Sequence, residues 1–555
     1  MKKLLLFTLC LMLLLVGCNA AQSDNSMPES SSAAADESSK GGESSTPAEN
    51  SSVMTQEELE FKALNVRIGY TEENASPSII KTQNELVNYF GEGARILESL
   101  TEYDDEFFKE KQIIVVPYFE GSGSISHEVK QLSYDGEKLY IEVLRTSPEL
   151  QTDDIAVWRI LIEIDADITL VSSEAIKVET YTMPKESVKT AQTAFALSLF
   201  KDVVANGENQ NLLVSPLSVQ LALAMTANGA QGDTKREMEA LLSGKFGMDE
   251  LNNLNKHYLN WLPNDDYAQL NIANSIWIRN NSSIKVKDDF LKMNKDFYKS
   301  LVFKKPFDDE TVKDINEWVE ENTDGMIDEI IEEIDENTVM YLINALTFDA
   351  EWSNIYTEDQ IYNGNFTSAD GKTKSVPMMR SEEERYLETA NATGFVKTYK
   401  GGRFSFVAVL PNVELSVDEY INLLDEKELA KILYGSKYEF CEAVMPKFKS
   451  ETSLLLNDAL KRLGMPTAFR DGLADFTAMT ENPMDGLYIG KVLHKTFIQV
   501  DERGTKAGAV TAVEMDWESA FEGIKKVVLD RPFIYMIVDH ELGSPIFIGV
   551  QKFID

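Results

Sequence analysis

The sequence predicts an α+β fold in two folded units, a small one followed by a larger one, and three observations predict it. At 555 residues the chain is longer than a single hydrophobic core comfortably serves. Between residues 57 and 185 short β-type runs alternate with short helical patterns, and from residue 187 onward amphipathic helices and apolar strands recur to the C-terminus. The third observation is the stretch 504–519, GTKAGAVTAVEMDWES. Its charged residues (Lys506, Glu514, Asp516, Glu518) are all even-numbered, and Thr505, Ala507, Ala509, Thr511, Val513, Met515 and Trp517 are uncharged. That is the period of a strand with one face meant for burial. Its glycines and small residues hold a sheet poorly, so the segment is expected to exist both as a loop and as an inserted strand.

Residues 1–18 read as a signal segment. Lys2 and Lys3 precede an apolar run over 4–16 that is too short to span a bilayer and fits a secretory signal. The run ends in Leu15-Val16-Gly17-Cys18, which resembles the bacterial lipobox and implies cleavage before Cys18 with lipid attached to its sulfur. The alternative is an ordinary signal peptide with an incidental cysteine. Acyl chains contribute about 0.8 kcal/mol per buried methylene, and more than one chain holds a protein stably on a membrane. The expected location is therefore extracytoplasmic, lipid-anchored to the bacterial cell membrane, or secreted. Residues 19–56 are rich in Ser, Ala, Glu and Gly and cannot bury enough apolar surface to order themselves. A disordered tether with an end-to-end distance of about 30 to 35 Å is expected there.

The first folded unit, 57–185, is expected to be a small α+β module. Ile113-Ile114-Val115-Val116-Pro117 reads as a buried strand, 138–144 alternates, and 157–164 is a further strand; 82–89 and 104–109 have the pattern of short helices. Gly121-Ser122-Gly123-Ser124 lacks the Lys-Ser/Thr and following helix of a phosphate cradle and is read as a turn before a strand. His127 has no metal-ligand companion at a useful spacing and is expected to be partly buried or at the surface. Asp104-Asp105-Glu106-Phe107-Phe108, the 121–125 turn and the Trp158 strand resemble small secreted domains described as protease-complex subunits; the resemblance carries no catalytic residues.

The larger unit, 187–555, opens with an amphipathic helix at 194–200. Asn211-Leu212-Leu213-Val214-Ser215-Pro216-Leu217-Ser218 comes next, followed by a helix through Met225 and Gly229. Of the three cysteines, Cys10 lies in the signal and Cys18 would be acylated, so no intramolecular disulfide is expected in the mature chain. Cys441 precedes an apolar strand pattern and is read as a packing residue.

Two sequences place this unit in a known family. The hinge Glu502-Arg503-Gly504-Thr505-Lys506-Ala507-Gly508-Ala509 and the closing Asp530-Arg531-Pro532-Phe533 resemble those of the serpins, the serine-protease-inhibitor superfamily, over residues 187 to 555. Asn316-Glu317-Trp318-Val319, Asn344-Ala345-Leu346-Thr347-Phe348, Val376-Pro377-Met378-Met379 and Met445-Pro446-Lys447-Phe448 follow the family order. The resemblance implies a serpin fold, three β-sheets surrounded by helices with an exposed reactive-centre loop. It also implies a suicide inhibitor that traps serine proteases as acyl-enzymes when the cleaved loop inserts into the central sheet.

The same resemblance implies the site residues. Ser215, Pro216, Ser218, Asn344 and His494 match the shutter beneath the sheet opening, where His494 would bridge strands and not act as a base. Trp352 matches the tryptophan where the loop first enters, and Lys447 and Glu502 match a salt bridge there, an ordinary surface pair being the alternative. The hinge is Glu502, Gly504, Thr505, Ala507, Gly508, Ala509 and Thr511. Thr505, Ala507, Ala509 and Thr511 would face inward on insertion, and none is bulky or charged. Family spacing counted from Gly504 puts the reactive bond at Glu518-Ser519. A slip of one residue puts it at Trp517-Glu518, and cutting at Met515 or Ala520 stays open. Roughly ten ladder hydrogen bonds at about 0.5 to 1.5 kcal/mol each would give insertion some 5 to 15 kcal/mol.

Other classes fare worse. A net charge of -39 argues against nucleic acid as a partner. Four histidines, no Gly-x-Ser-x-Gly, no His-Glu-x-x-His, no phosphate loop and no Cys/His metal pattern argue against an enzyme, a cofactor or a metal site. A monomer with proteases as partners is expected. The alternative is a non-inhibitory surface lipoprotein that uses the fold as a binding or adhesion module.

Overall fold

The structure, a computed structural model, describes residues 57–68, 76–92, 94–98, 100–147, 152, 154–182, 186–207, 209–244, 246–261, 267–280, 284–335, 338–481, 486–505 and 524–554. Cys18, the 19–56 segment, Ala507, Gly508, Ala509, Thr511, Met515, Trp517, Glu518, Ser519 and Ala520 lie outside the described residues.

Valine and isoleucine crowd the first strands because their sheet is covered on both faces. The module contains β1 (Glu57–Glu58), β2 (Lys62–Ile68), β3 (Ser78–Ile80), α1 (Gln83–Phe90), α2 (Phe107–Glu110) and β4 (Lys111–Glu120). It continues with β5 (Ser126–Tyr134), β6 (Leu139–Thr146), β7 (Ala156–Asp165) and β8 (Ile176–Thr182). One sheet has the order β2-β7-β4-β3 and the other β1-β5-β6-β8. Ile114, Val116, Ile160 and Ile162 pack with Leu132, Leu139, Ile141 and Val143 of the second sheet. Ile113, Val115 and Leu161 point the other way, to Leu86 of α1, Leu100 and Tyr103.

Thr82 caps α1 by accepting from the Glu85 amide at 3.1 Å. The helix expected at 104–109 is a single turn, because Asp104 Oδ1 holds the Glu106 and Phe107 amides in a tight cap and Lys111 already begins β4. His127 differs from expectation: it is buried, with Nε2 2.8 Å from Glu120 Oε1 and its ring stacked on Tyr118. Arg145 grips the same carboxylate through Nε and a terminal guanidinium nitrogen, at 2.7 and 2.6 Å, which satisfies a charge that burial would otherwise penalise.

The larger part runs α3 (Glu186–Asn206), β9 (Leu212–Val214), α4 (Pro216–Ala227), α5 (Gly232–Leu242), α6 (Met248–Trp261), β10 (Ala268–Arg279) and α7 (Asp288–Tyr298). Next come β11 (Leu301–Lys305), α8 (Asp309–Asn322), β12 (Met340–Glu351), β13 (Ile361–Thr367), β14 (Thr373–Glu388), β15 (Ala392–Thr398) and β16 (Phe404–Pro411). It closes with α9 (Val417–Leu423), α10 (Glu426–Tyr434), β17 (Lys437–Pro446), β18 (Phe448–Leu455), α11 (Asn457–Arg462), β19 (Lys491–Val500), β20 (Gly504–Thr505), β21 (Lys525–Val528), β22 (Phe533–Asp539) and β23 (Ser544–Gln551).

The central sheet is ordered β11-β10-β12-β20-β19-β18. The two further sheets that the resemblance implies are joined here into one hydrogen-bonded path, β21-β17-β14-β15-β16-β22-β23-β9, with β13 on β14. The join is β14, which pairs β17 over 378–386 and β15 over 385–388, with a register shift in the β17 pairing at Arg385/Tyr386. α4 is buried along its whole length and packs on β10, β12 and β23, so it is apolar all round apart from capping and network residues. α8 covers the opposite face of the central sheet through Ile315 and Val319 against Trp277, Tyr341 and Ile343.

The module is welded to α6 rather than held at a distance. Trp261 donates its indole N–H to Glu142 Oε2 at 2.9 Å, Tyr181 stacks on His257 at 4.3 Å, and Lys256 reaches Glu179 at 3.2 Å. Lys130 pairs with Glu541 at 2.7 Å, and Leu144 and Tyr181 join the large core.

Candidate functional site

The central sheet forks. Below, β12 and β19 pair directly as parallel neighbours from Tyr341↔Lys491 to Leu346↔Thr496, so no strand lies between them over that length. Above, they part, and the two residues of β20 fill the gap, with Ala350↔Thr505, Glu351↔Gly504 and Val500↔Thr505 antiparallel. Gly504 is required by this close approach, since a Cβ there would lie 2.0 Å from the Ala350 carbonyl oxygen. The turn into β20 is held by Asp501, whose carboxylate accepts the Arg503 amide at 2.9 Å and whose own amide donates to Gly504 O at 3.0 Å.

Trp352 closes the top of the fork. Its amide donates to Arg503 O at 2.8 Å and its indole N–H to Asp501 O at 2.9 Å, so one residue fixes both ends of the turn. The indole stacks on Tyr399 at 4.3 Å, and the Tyr399 hydroxyl lies 2.5 Å from the Thr505 hydroxyl, both groups being fully buried. Burial pushes the Tyr399 phenol above its ordinary range, so it keeps its proton and remains able to donate. Lys397 sits over Trp352 and Tyr356 and pairs with Glu383 at 2.8 Å; burial opposes its charge, but Tyr356 and Glu383 outweigh that and its pKa is raised. Lys447 and Glu502 are in contact at 2.5 Å, each about one-third exposed (29% and 37%), which makes the pair a modest contributor. Burial, the largest single influence, would raise the Glu502 carboxyl, but the Lys447 bond and charge, a backbone hydrogen bond and the Arg503 charge together outweigh it and lower it.

Below the fork, Ser215, Ser218, Asn344 and His494 meet in one buried network. Ser215 caps α4, with Pro216 at the first helical position, and its hydroxyl accepts the Ser218 amide at 3.2 Å. The Ser215 amide donates to His494 Nε2 at 3.1 Å, which leaves Nδ1 to carry the proton toward Asn344 Oδ1. Asn344 then donates to Ser218 Oγ and to Asn274 Oδ1. Burial drives the His494 pKa down to about 3, so the ring is neutral at physiological pH. β10, β12, β19 and the start of α4 are thus linked through one set of buried polar side chains. Asn274, Tyr399, Lys397 and Glu383 had no local sequence signal. Cys441 is buried on β17, where burial pushes its thiol up to about 12 and leaves it unreactive.

This arrangement is that of a known superfamily. A family model described as serpin (serine protease inhibitor) matches residues 190–553. The chain belongs to the serpin family. Among its relatives is an uncharacterised serpin-like protein of Thermococcus kodakarensis, 31% identical over 373 residues, covering 66% of this chain and 85% of that one. Human neuroserpin is 27% identical over 387 residues, covering 66% of this serpin and 91% of neuroserpin. Among solved structures, the thermophilic serpin tengpin in its native state is 43% identical with a TM-score of 0.64, covering 67% of this chain and 95% of that one. Tengpin in its latent state gives 42% and 0.59, covering 67% and 99%. Serpins are typically protease inhibitors and not enzymes, although the family also holds binding proteins, and a thyroxine-binding globulin complexed with thyroxine is 26% identical with a TM-score of 0.59, covering 65% of this chain and 98% of that one.

Proposed function

We propose that this serpin inhibits serine proteases by the trapping mechanism. The observation that carries the reading is the fork. β12 and β19 still pair below it, while Gly504-Thr505 already occupies the top of the gap, so a strand continuing from Thr505 has a place prepared between them. The sequence after Thr505 suits that place, since Ala507, Ala509 and Thr511 are small and uncharged. The network beneath consists of Ser215, Ser218, Asn274, Asn344 and His494, which can exchange hydrogen bonds as the strands part.

In this mechanism the protease serine attacks the carbonyl carbon at the reactive bond, the amine of the following residue departs, and an ester joins the two proteins. The freed strand then enters the sheet and carries the enzyme with it, deforming its active site. Removal of one oxyanion donor costs about 100- to 1000-fold in turnover, so a small distortion strands the ester. Glu518-Ser519 is the favoured bond and Trp517-Glu518 the second. Anchoring through acylated Cys18, on the outer side of a bacterial membrane, would place the inhibitor where secreted proteases act.

The test is a panel of elastase, chymotrypsin, a subtilisin and a glutamyl endopeptidase, read on a denaturing gel for covalent adducts, with mass spectrometry of the released fragment. An SDS-stable adduct is expected. Clean cleavage by every enzyme with no adduct, and no gain in thermal stability of the cut protein, would overturn the proposal in favour of a passive binding module.

A further inference from the structure

The geometry points to Tyr399 as a positioning residue that sets the register in which the loop strand joins the central sheet, through its hydroxyl contact with Thr505. The inference rests on the insertion mechanism proposed above. β20 is only two residues long, and one of them is Gly504, which has no side chain to choose a face. Register in so short a strand is weakly specified by backbone pairing, and a slip of one residue turns every side chain to the other side.

In this chain such a slip has a definite chemical consequence. With Thr505 inward, Ala507, Ala509, Thr511, Val513, Met515 and Trp517 follow it inward; displaced by one, the even positions turn inward instead, with Lys506 at the entrance, Gly508, Val510 and Ala512 after it, and then Glu514, Asp516 and Glu518. Burial of those charges without partners would stall the strand. Thr505 is therefore the residue whose placement decides the face of all that follow, and the contact that fixes it comes from outside the loop.

That contact is itself rigidly mounted. The Tyr399 ring lies flat on Trp352 (4.3 Å, 16°) and edge-on to Phe348 (5.1 Å, 74°). The backbones of Tyr399 and Trp352 form an antiparallel bridge, and Trp352 is pinned to the turn through Asp501 and Arg503. The hydroxyl is thus a fixed point of the frame, 2.5 Å from that of Thr505. In the slipped register both hydroxyls, which belong to fully buried residues, would lose their partner.

Tyr399→Phe removes the hydroxyl and keeps the stack; Thr505→Val does the same from the loop side, and Thr505→Ser restores it. With bovine chymotrypsin as probe, Tyr399→Phe and Thr505→Val are each expected to raise the stoichiometry of inhibition about two- to tenfold, the range of one hydrogen bond. The double variant is expected to be no worse than the worse single one, and Thr505→Ser to match the parent. A merely structural hydroxyl would instead lower the melting temperature of the uncut protein and leave the partition between trapped and hydrolysed enzyme unchanged. A second measurement needs no inhibition: the loop is nicked with thermolysin, a metalloprotease that forms no acyl-enzyme, and the rise in melting temperature is compared, with a smaller rise expected in Tyr399→Phe. If parent and variants rise equally and partition equally, the register role is overturned while the trapping mechanism stands. If the parent shows no rise, the insertion mechanism fails and the register role falls with it.

Discussion

Acidification should loosen the network beneath the fork, through His494. The ring is fully buried, its Nε2 accepts the Ser215 amide and its Nδ1–H faces Asn344, so a second ring proton would set N–H against N–H at Ser215. Burial lowers its pKa from 6.5 to about 3. A folded pKa below the unfolded one means that, between these values, the unfolded chain binds the proton and the folded chain does not. The contribution of neutral His494 is therefore complete above pH 6.5 and is lost progressively as the pH falls toward 3. The slope is about 1.4 kcal/mol per pH unit, which gives a loss of about 2 kcal/mol on going from neutral pH to pH 5. Denaturant unfolding at pH 7 and pH 5, in the parent and in His494→Gln, isolates this from the carboxylates, which titrate alike in both. Carbon-detected NMR of the four histidine rings, with His494→Gln for assignment, follows the same event directly. A His494 resonance titrating above pH 6, or a stability difference between the two proteins that does not change with pH, would refute the reasoning.

Three further outcomes are expected. Thr505→Arg places a guanidinium where Thr505 is fully buried against Tyr399; every ~1.4 kcal/mol this adds to the insertion barrier slows trapping tenfold, so the variant should be cleaved as a substrate, and an unchanged stoichiometry of inhibition would contradict the inward assignment. Lys447→Ala removes one member of a pair that is about one-third exposed and should cost no more than about 1 kcal/mol in denaturant unfolding; a loss of several would show that the pair acts as a buried one. Trp261→Ala strips the module contact of its indole and leaves Glu142 without that donor, at about 3 to 5 kcal/mol, visible as a separate early transition of the module in calorimetry; a single unshifted transition would mean that the two parts are not coupled there.

Much of this was legible along the chain because the signals are local. Alternation across 504–519 depends only on each residue and its neighbours. The strands around Ile113 and Val157 announce themselves by unbroken β-branched runs. His127 was misread for the same reason in reverse: nothing near it in sequence indicates Arg145, or the Tyr118 ring that covers it.

By itself the sequence determined which residues could enter a sheet and on which face, because side-chain parity is a property of the backbone's two-residue repeat. It also carried, in the run of family motifs, the resemblance to the superfamily to which the larger unit belongs. Only the tertiary structure decided where the central sheet is closed and where it is parted, and that Gly504-Thr505 already stands in the gap. It alone brought Tyr399 to Thr505 across 106 residues, Asn274 to Asn344 across 70, and Trp261 to Glu142 across 119. Such contacts are fixed by how whole sheets and helices pack. A side chain's neighbours in sequence do not constrain which partner it meets once the chain has folded back on itself.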